Sequence, residues 1–168
     1  MRLVALYSFF ALIALAIETT LARAVPYHAL IPNLIVILAV DLGLRHHGAI
    51  AVAMAFAIGY AADSVSGANL GANALLTIVV FLASYEISIR LIATTTFVGA
   101  IIVLFATPFA ALGSIALSAG FGALSQAGPL VPEIAANAVI TAFVAPIVFA
   151  ILARCRRAIG LRADTGRK

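Results

Sequence analysis

Charge is what this chain of 168 residues has least of. Only 10% of its residues are charged, whereas 65% are hydrophobic and the mean hydropathy is +1.21. A soluble domain of this length cannot bury so much apolar surface, so the composition predicts an integral membrane protein. The only charge-rich segment is the C-terminal one. We therefore expect residues 1–153 to form a single transmembrane domain and residues 154–168 to form a basic cytoplasmic tail.

Residue types that commonly carry out chemistry are also scarce. The single cysteine, Cys155, excludes an intramolecular disulfide and a cysteine-based metal cluster. The single lysine, Lys168, is the last residue, which excludes a lysine nucleophile inside the membrane. No HExxH, GxSxG, Walker or GxGxxG motif is present. Adjacent His46 and His47 would point about 100° apart on a helix, which suits them poorly as ligands of one metal. We predict no enzymatic activity, no cofactor and no metal site.

Apolar runs divide the chain into about six helical spans of roughly 20 residues each. A loop is predicted where Gly and Pro are frequent, over Gly120–Glu133. One of these runs, Leu34–Leu44, is short unless Pro32 and the residues before it lie at membrane depth. The runs are Leu3–Leu21, Leu34–Leu44, Ala49–Ala62, two runs within 72–119 that are separated by a turn near Glu86–Thr96, and Ile134–Ala153.

The basic residues predict the orientation of these spans, because Lys and Arg accumulate on the cytoplasmic side. With both termini in the cytoplasm, nine of the ten basic residues lie inside and only Arg23 lies outside. Outside the C-terminal segment, the basic residues lie singly at the ends of apolar runs. This distribution argues against nucleic-acid binding, despite a net charge of +4. An alternative is that Ala22-Arg23-Ala24 ends a signal peptide. The first apolar run is longer than usual for that, and cleavage would leave an odd number of spans.

Two acid–arginine pairs have helical spacing. Asp41 and Arg45, and likewise Glu86 and Arg90, are four residues apart and would share a helix face. We interpret both as structural ion pairs, since a proton relay at Asp41 would need a second buried acid. Glu18, near the outer end of the first span, is expected to reach the interface or to meet Arg23.

Asp63–Gly71 is a polar, glycine-containing stretch, here called the polar island, inside an apolar chain. Ala55, Gly59 and Asp63 recur every four residues, and such stripes of small residues allow helices in lipid to approach closely. We therefore expect the third helix to be central and Asp63 to face protein, where its carboxylate can cap the next helix. The island is either a well-capped turn or part of a contact or ligand surface.

The spacing of these residues is similar to that of a known family. Pro32-Asn33-Leu34 opens a span, and the pattern Gly59-x-x-x-Asp63-x-x-Ser66-Gly67-x-x-x-Gly71 follows. Over Pro32–Arg90 the chain resembles the rod-shape-determining protein MreD family. Asn33 stands where that family usually has an acid, and Asn69 stands where a proline is common.

The resemblance implies a non-enzymatic inner-membrane component of the bacterial cell-wall elongation machinery. Such a protein would bind MreC and, indirectly, MreB, RodA and a class B penicillin-binding transpeptidase. It also implies a fold similar to the substrate-binding subunits of energy-coupling-factor transporters, and hence an alternative function as a vitamin-like ligand-binding subunit. Asn137 could then face a pocket together with Asp63. The candidate structural or partner-contact residues are Pro32, Asn33, Gly59, Asp63, Ser66, Gly67 and Gly71.

Overall fold

The computed structural model describes residues 2–24, 30–46, 48–66, 71–90, 95–119 and 128–159. These ranges contain six α-helices and no strand, which confirms the predicted all-α architecture. A 3-10 turn, Gly128–Leu130, directly precedes the last of these helices. The helices are α1 (Arg2–Ala24), α2 (Leu34–Arg45), α3 (Ala49–Ser66), α4 (Ala72–Arg90), α5 (Thr96–Ala119) and α6 (Val131–Ile159).

Five of these helices are long and apolar enough to cross a membrane, and α2 is the exception. With 12 residues, α2 is only about 18 Å long at 1.5 Å per residue, against a hydrocarbon core of about 30 Å. It is also the most buried helix, since every residue from Leu34 to Leu44 is buried. The expectation that α3 is central is therefore corrected. The small residues of α3 bring it close to α4 while its other side exposes Phe56 and Tyr60.

The segment before α2 lies against α6. The side-chain nitrogen of Asn137 donates to the carbonyl oxygen of Ile31 at 2.7 Å, and the backbone N–H of Asn33 donates to Oγ1 of Thr141 at 3.1 Å. Non-helical backbone inside a membrane protein persists only where protein or water satisfies its polar groups. These two side chains of α6 do so here, and they allow a short helix to occupy the middle of the bundle.

Successive helices run in opposite directions, so the bundle has two ends. We call the end that holds Arg45, Arg90 and Arg156 the basic end, and the end that holds Glu18 and Asp63 the island end. Helix α6 reaches the basic end by continuing to Ile159, so the first residues after Ala153 are helical and Arg156 is buried. At the island end α6 already begins at Val131, inside the loop predicted over Gly120–Glu133.

Candidate functional site

At the island end, Asp63 of α3 caps the first turn of α4. Its Oδ2 accepts hydrogen bonds from the backbone N–H groups of Gly71 at 2.9 Å and Ala74 at 3.1 Å, and its Oδ1 accepts from Asn73 at 3.0 Å. The first N–H groups of a helix have no partner within it, and a carboxylate there also interacts favourably with the helix dipole. The side chain is completely buried, so Asp63 faces protein as expected, and its donors come from the next helix.

Two glycines make this cap possible. At Gly59 a Cβ atom would lie 2.6 Å from Cα of Ala74 and 2.7 Å from the carbonyl oxygen of Asn73, so only glycine lets α3 approach α4 this closely. Gly71 has φ of +97°, a conformation that side chains with a Cβ atom rarely adopt. The predicted contact residue Gly67 lies outside the described residues.

Glu18 of α1 caps α2 in a similar way. Its Oε1 accepts from the backbone N–H groups of Leu34 at 2.5 Å and Ile35 at 3.3 Å. Asn33, the N-cap residue of α2, adds a local bond, because its Oδ1 accepts from the N–H of Val36 at 3.0 Å. The expectation that Glu18 reaches the interface or meets Arg23 is thus replaced by a cap between helices. Asn33 needs no charge for its part, because an amide oxygen accepts this bond as well as a carboxylate does.

A cavity of about 530 Å³ opens between these two caps. Helices α1 to α5 contribute to its wall, which combines apolar side chains with several polar ones. Of the predicted contact residues, Asn33 and Ser66 line it. Gly59, Asp63 and Gly71 form the cap beside it. Pro32 lines a separate apolar groove between α1, α2 and α6. The polar lining residues of the cavity are Glu18, Thr19, Arg23, Asn33, Ser66, Asn73 and Thr77.

The basic end has a different kind of polar cluster, centred on Asp41 of α2. As predicted, Arg45 pairs with it, with Nε of Arg45 2.8 Å from Oδ1 of Asp41. A second arginine, Arg156 of α6, also contacts both carboxylate oxygens, and the hydroxyl of Tyr7 on α1 donates to Oδ2 at 2.7 Å. Nη1 of Arg156 donates to the oxygen of Tyr7 at 2.8 Å. We call Tyr7, Asp41, Arg45 and Arg156 the basic-end cluster; it joins α1, α2 and α6.

The second predicted pair, Glu86 with Arg90, is also present but differs in setting. Its closest oxygen–nitrogen distance is 3.9 Å, and the two side chains are 62% and 82% exposed. An exposed pair of this kind contributes little stability. The same spacing in the sequence therefore gives a buried cluster in α2 and a loose surface pair in α4.

The polar side chains at both ends of the bundle hold neighbouring helices together. Among the residues that the structure describes, no three His, Cys, Asp or Glu side chains come together as metal ligands would. The carboxylates of Asp63 and Glu18 are occupied by backbone N–H groups, and that of Asp41 by guanidinium groups and a hydroxyl. The fold and these sites define a multi-pass helical membrane protein whose polar side chains join one helix to another.

The family comparison agrees with this class and narrows it. Residues 1–155 match the family described as rod shape-determining protein MreD, and the chain belongs to that family. No curated protein and no solved structure matches the chain. Membership implies a role in determining rod shape. It favours this role over the alternative function, that of a ligand-binding subunit of a transporter. The similarity to energy-coupling-factor subunits remains a prediction.

Proposed function

We propose that this protein is a non-enzymatic component of the cell-wall elongation machinery in the bacterial inner membrane, and that it binds MreC. Through MreC it would act with MreB, RodA and a class B penicillin-binding transpeptidase. The proposal rests on family membership and on one structural observation, the cavity at the island end.

The cavity supports partner binding because two residues singled out from the family pattern, Asn33 and Ser66, meet in its wall. They come from different helices and are 33 positions apart in the sequence. A concave surface with a few convergent polar groups is the usual form of a binding site. The caps of Asp63 and Glu18 fix the two helix starts beside it, so its shape is preorganised.

The distribution of arginine supports the orientation of this surface. The basic end would lie in the cytoplasm, because Lys and Arg are retained on that side, and both termini would lie there too. The island end then faces the periplasm, where the soluble part of MreC would lie. The cavity is thus accessible to the segment of MreC next to the membrane.

Two serines of α3 allow a matched test. Ser66 lines the cavity and Ser64 does not; both are exposed, and both donate their hydroxyl to a backbone oxygen of the same helix. Ser66→Trp should fill part of the cavity and reduce the recovery of MreC with the purified protein to background. Ser64→Trp should leave recovery unchanged. Cells that depend on the Ser66→Trp variant should become round.

Equal recovery of MreC with both tryptophan variants would exclude the cavity as the contact site. Failure of the unaltered protein to recover MreC under the same conditions would overturn the proposed function itself. The amount of each variant in the membrane fraction, measured with an epitope tag, separates loss of binding from loss of protein.

A further inference from the structure

The basic-end cluster carries an unbalanced charge. Asp41 is 1% exposed and contributes one negative charge, whereas Arg45 and Arg156 each contribute a positive charge. The sum is +1. In the matched pair of α4, Glu86 and Arg90 sum to zero. Charge buried at membrane depth is costly unless an opposite charge compensates it, and Asp41 compensates only one of the two guanidinium groups.

Asp41 also has no acceptor capacity left. An ionised carboxylate offers about four lone-pair positions. Here Oδ1 accepts from Nε of Arg45 and Nη2 of Arg156, and Oδ2 accepts from Nη1 of Arg156 and the hydroxyl of Tyr7. All four positions are therefore used, and only one of them is used by Arg45.

The remaining donors of Arg45 point to a ligand. A guanidinium has five N–H donors, and only the Nε donor of Arg45 is bonded to another of the described residues. Two neighbouring carbonyl oxygens of α2 already have donors, since Ser88 donates to Leu44 at 2.9 Å and the N–H of His46 donates to Leu42 at 2.9 Å. Arg45 is the last residue of α2, and its side chain is 24% exposed, so part of it is accessible from the basic end.

We propose that Arg45 binds a phosphate group, with the basic-end cluster supplying the excess positive charge. The planar fork of arginine matches phosphate oxygens in pairs, and arginine is less strongly hydrated than lysine. Basic sites between helices on the cytoplasmic side of membrane proteins commonly hold the headgroups of anionic lipids. The same chemistry would also accept free phosphate from the cytoplasm. The site lies at the opposite end from the cavity and does not depend on MreC.

Native mass spectrometry of the detergent-purified full chain tests this proposal. Phosphatidylglycerol is added as the probe, with phosphatidylcholine as the reference lipid. The unaltered protein should retain phosphatidylglycerol preferentially, and Arg90→Gln, which removes a positive charge from the same end, should retain the same preference. Arg45→Gln should lose it. Arg45→Lys keeps the charge and the pair with Asp41 but lacks the fork, so its preference should be intermediate.

Inorganic phosphate identifies the source of the ligand. If it displaces phosphatidylglycerol from the unaltered protein at millimolar concentration, the site takes phosphate in general; if the lipid remains bound, the site is specific for the lipid headgroup. The proposal is overturned if the unaltered protein shows no preference for phosphatidylglycerol. It is also overturned if Arg45→Gln and Arg45→Lys keep the full preference, or if Arg90→Gln loses it equally.

Discussion

The two ends of the helix bundle use carboxylates in different ways. At the island end, Asp63 and Glu18 each accept N–H groups from the first turn of another helix. At the basic end, Asp41 meets two arginines and a tyrosine. The donors at the island end are neutral, whereas most of those at the basic end are charged. The island end should therefore tolerate a neutral amide in place of the acid, and the basic end should not.

This difference follows from the direction of the helices. At the island end, α2 and α4 begin, and the N–H groups of their first turns, which have no partner within the helix, attract an acceptor. At the basic end, α2 ends and offers carbonyl oxygens, and Asp41 takes its donors from the side chains of Tyr7, Arg45 and Arg156. The direction of α2 and α4 thus accounts for the backbone donors of the two acids at the island end.

Removing the charge of Asp41 should have the largest effect. In Asp41→Asn two guanidinium groups lose their counter-charge, and breaking a buried ion pair costs about 3–5 kcal/mol. We expect the variant to be strongly depleted from the membrane and to unfold early in mixed micelles, followed by circular dichroism.

Glu86→Gln is the matched control for Asp41→Asn, since it neutralises the exposed acid of the second pair. Its free energy of unfolding should change by less than about 0.5 kcal/mol. Similar stabilities for the two variants would show that burial does not distinguish the two pairs.

Removing the cap at Asp63 should have the next largest effect. Asp63→Ala leaves three backbone N–H groups without their acceptor in a buried place, and the loss should be about 1–3 kcal/mol. Asp63→Asn keeps one acceptor oxygen and should recover part of that stability. Glu133→Gln, an exposed acid in the first turn of α6, serves as the control. An Asn variant that is no better than the Ala variant would show that charge is required here too.

Widening the contact between α3 and α4 should have an intermediate effect. The added methyl group of Gly59→Ala would meet backbone atoms of α4, so the helices must separate, at a cost of about 1–3 kcal/mol. Ala57→Leu, on an exposed part of the same helix, should be nearly neutral. If instead the Gly59 variant unfolds like the unaltered protein, the close approach is not needed for the cap.

Replacing Glu18 by Gln should have the smallest effect. The amide oxygen of Gln can accept from Leu34 and Ile35 as the carboxylate does, so the loss should be below about 1 kcal/mol. Glu18→Ala should cost about 0.5–2 kcal/mol, as loss of a helix cap does. Unfolding in the same micelles measures both. A Gln variant as unstable as Asp41→Asn would remove the distinction between the two ends.

The sequence predicts the contacts that are local. The pairing of Asp41 with Arg45 and the cap of Asp63 on the next helix start follow from spacing and turn chemistry, because the partners are within about a dozen positions. The apolar runs likewise predict the helices, although the run lengths alone do not show that α2 is buried rather than a full span. The burial of α2 depends on which helices pack around it.

Contacts between distant parts of the chain could not be predicted in this way. Arg156 lies 115 positions from Asp41, among other arginines of similar appearance. One signal was present: Phe149, Leu152 and Arg156 share a helix face, so an arginine continues an apolar stripe. Its partner still depends on which helices are neighbours, and neither composition nor periodicity determines that. The same holds for Glu18 with α2 and for Thr141 with Asn33.

The dependence of α2 on α6 has a consequence for how the chain is made. Helix α2 is synthesised early, but Thr141 and Asn137, which satisfy the backbone before it, and Arg156, which pairs with its acid, belong to the last helix. During synthesis α2 is too short to span the bilayer, and its acid has Arg45 and Tyr7 beside it but still lacks Arg156. Its final place in the membrane is therefore reached after translation of α6, and a chain truncated before Val131 should be recognised by quality-control proteases as incompletely inserted.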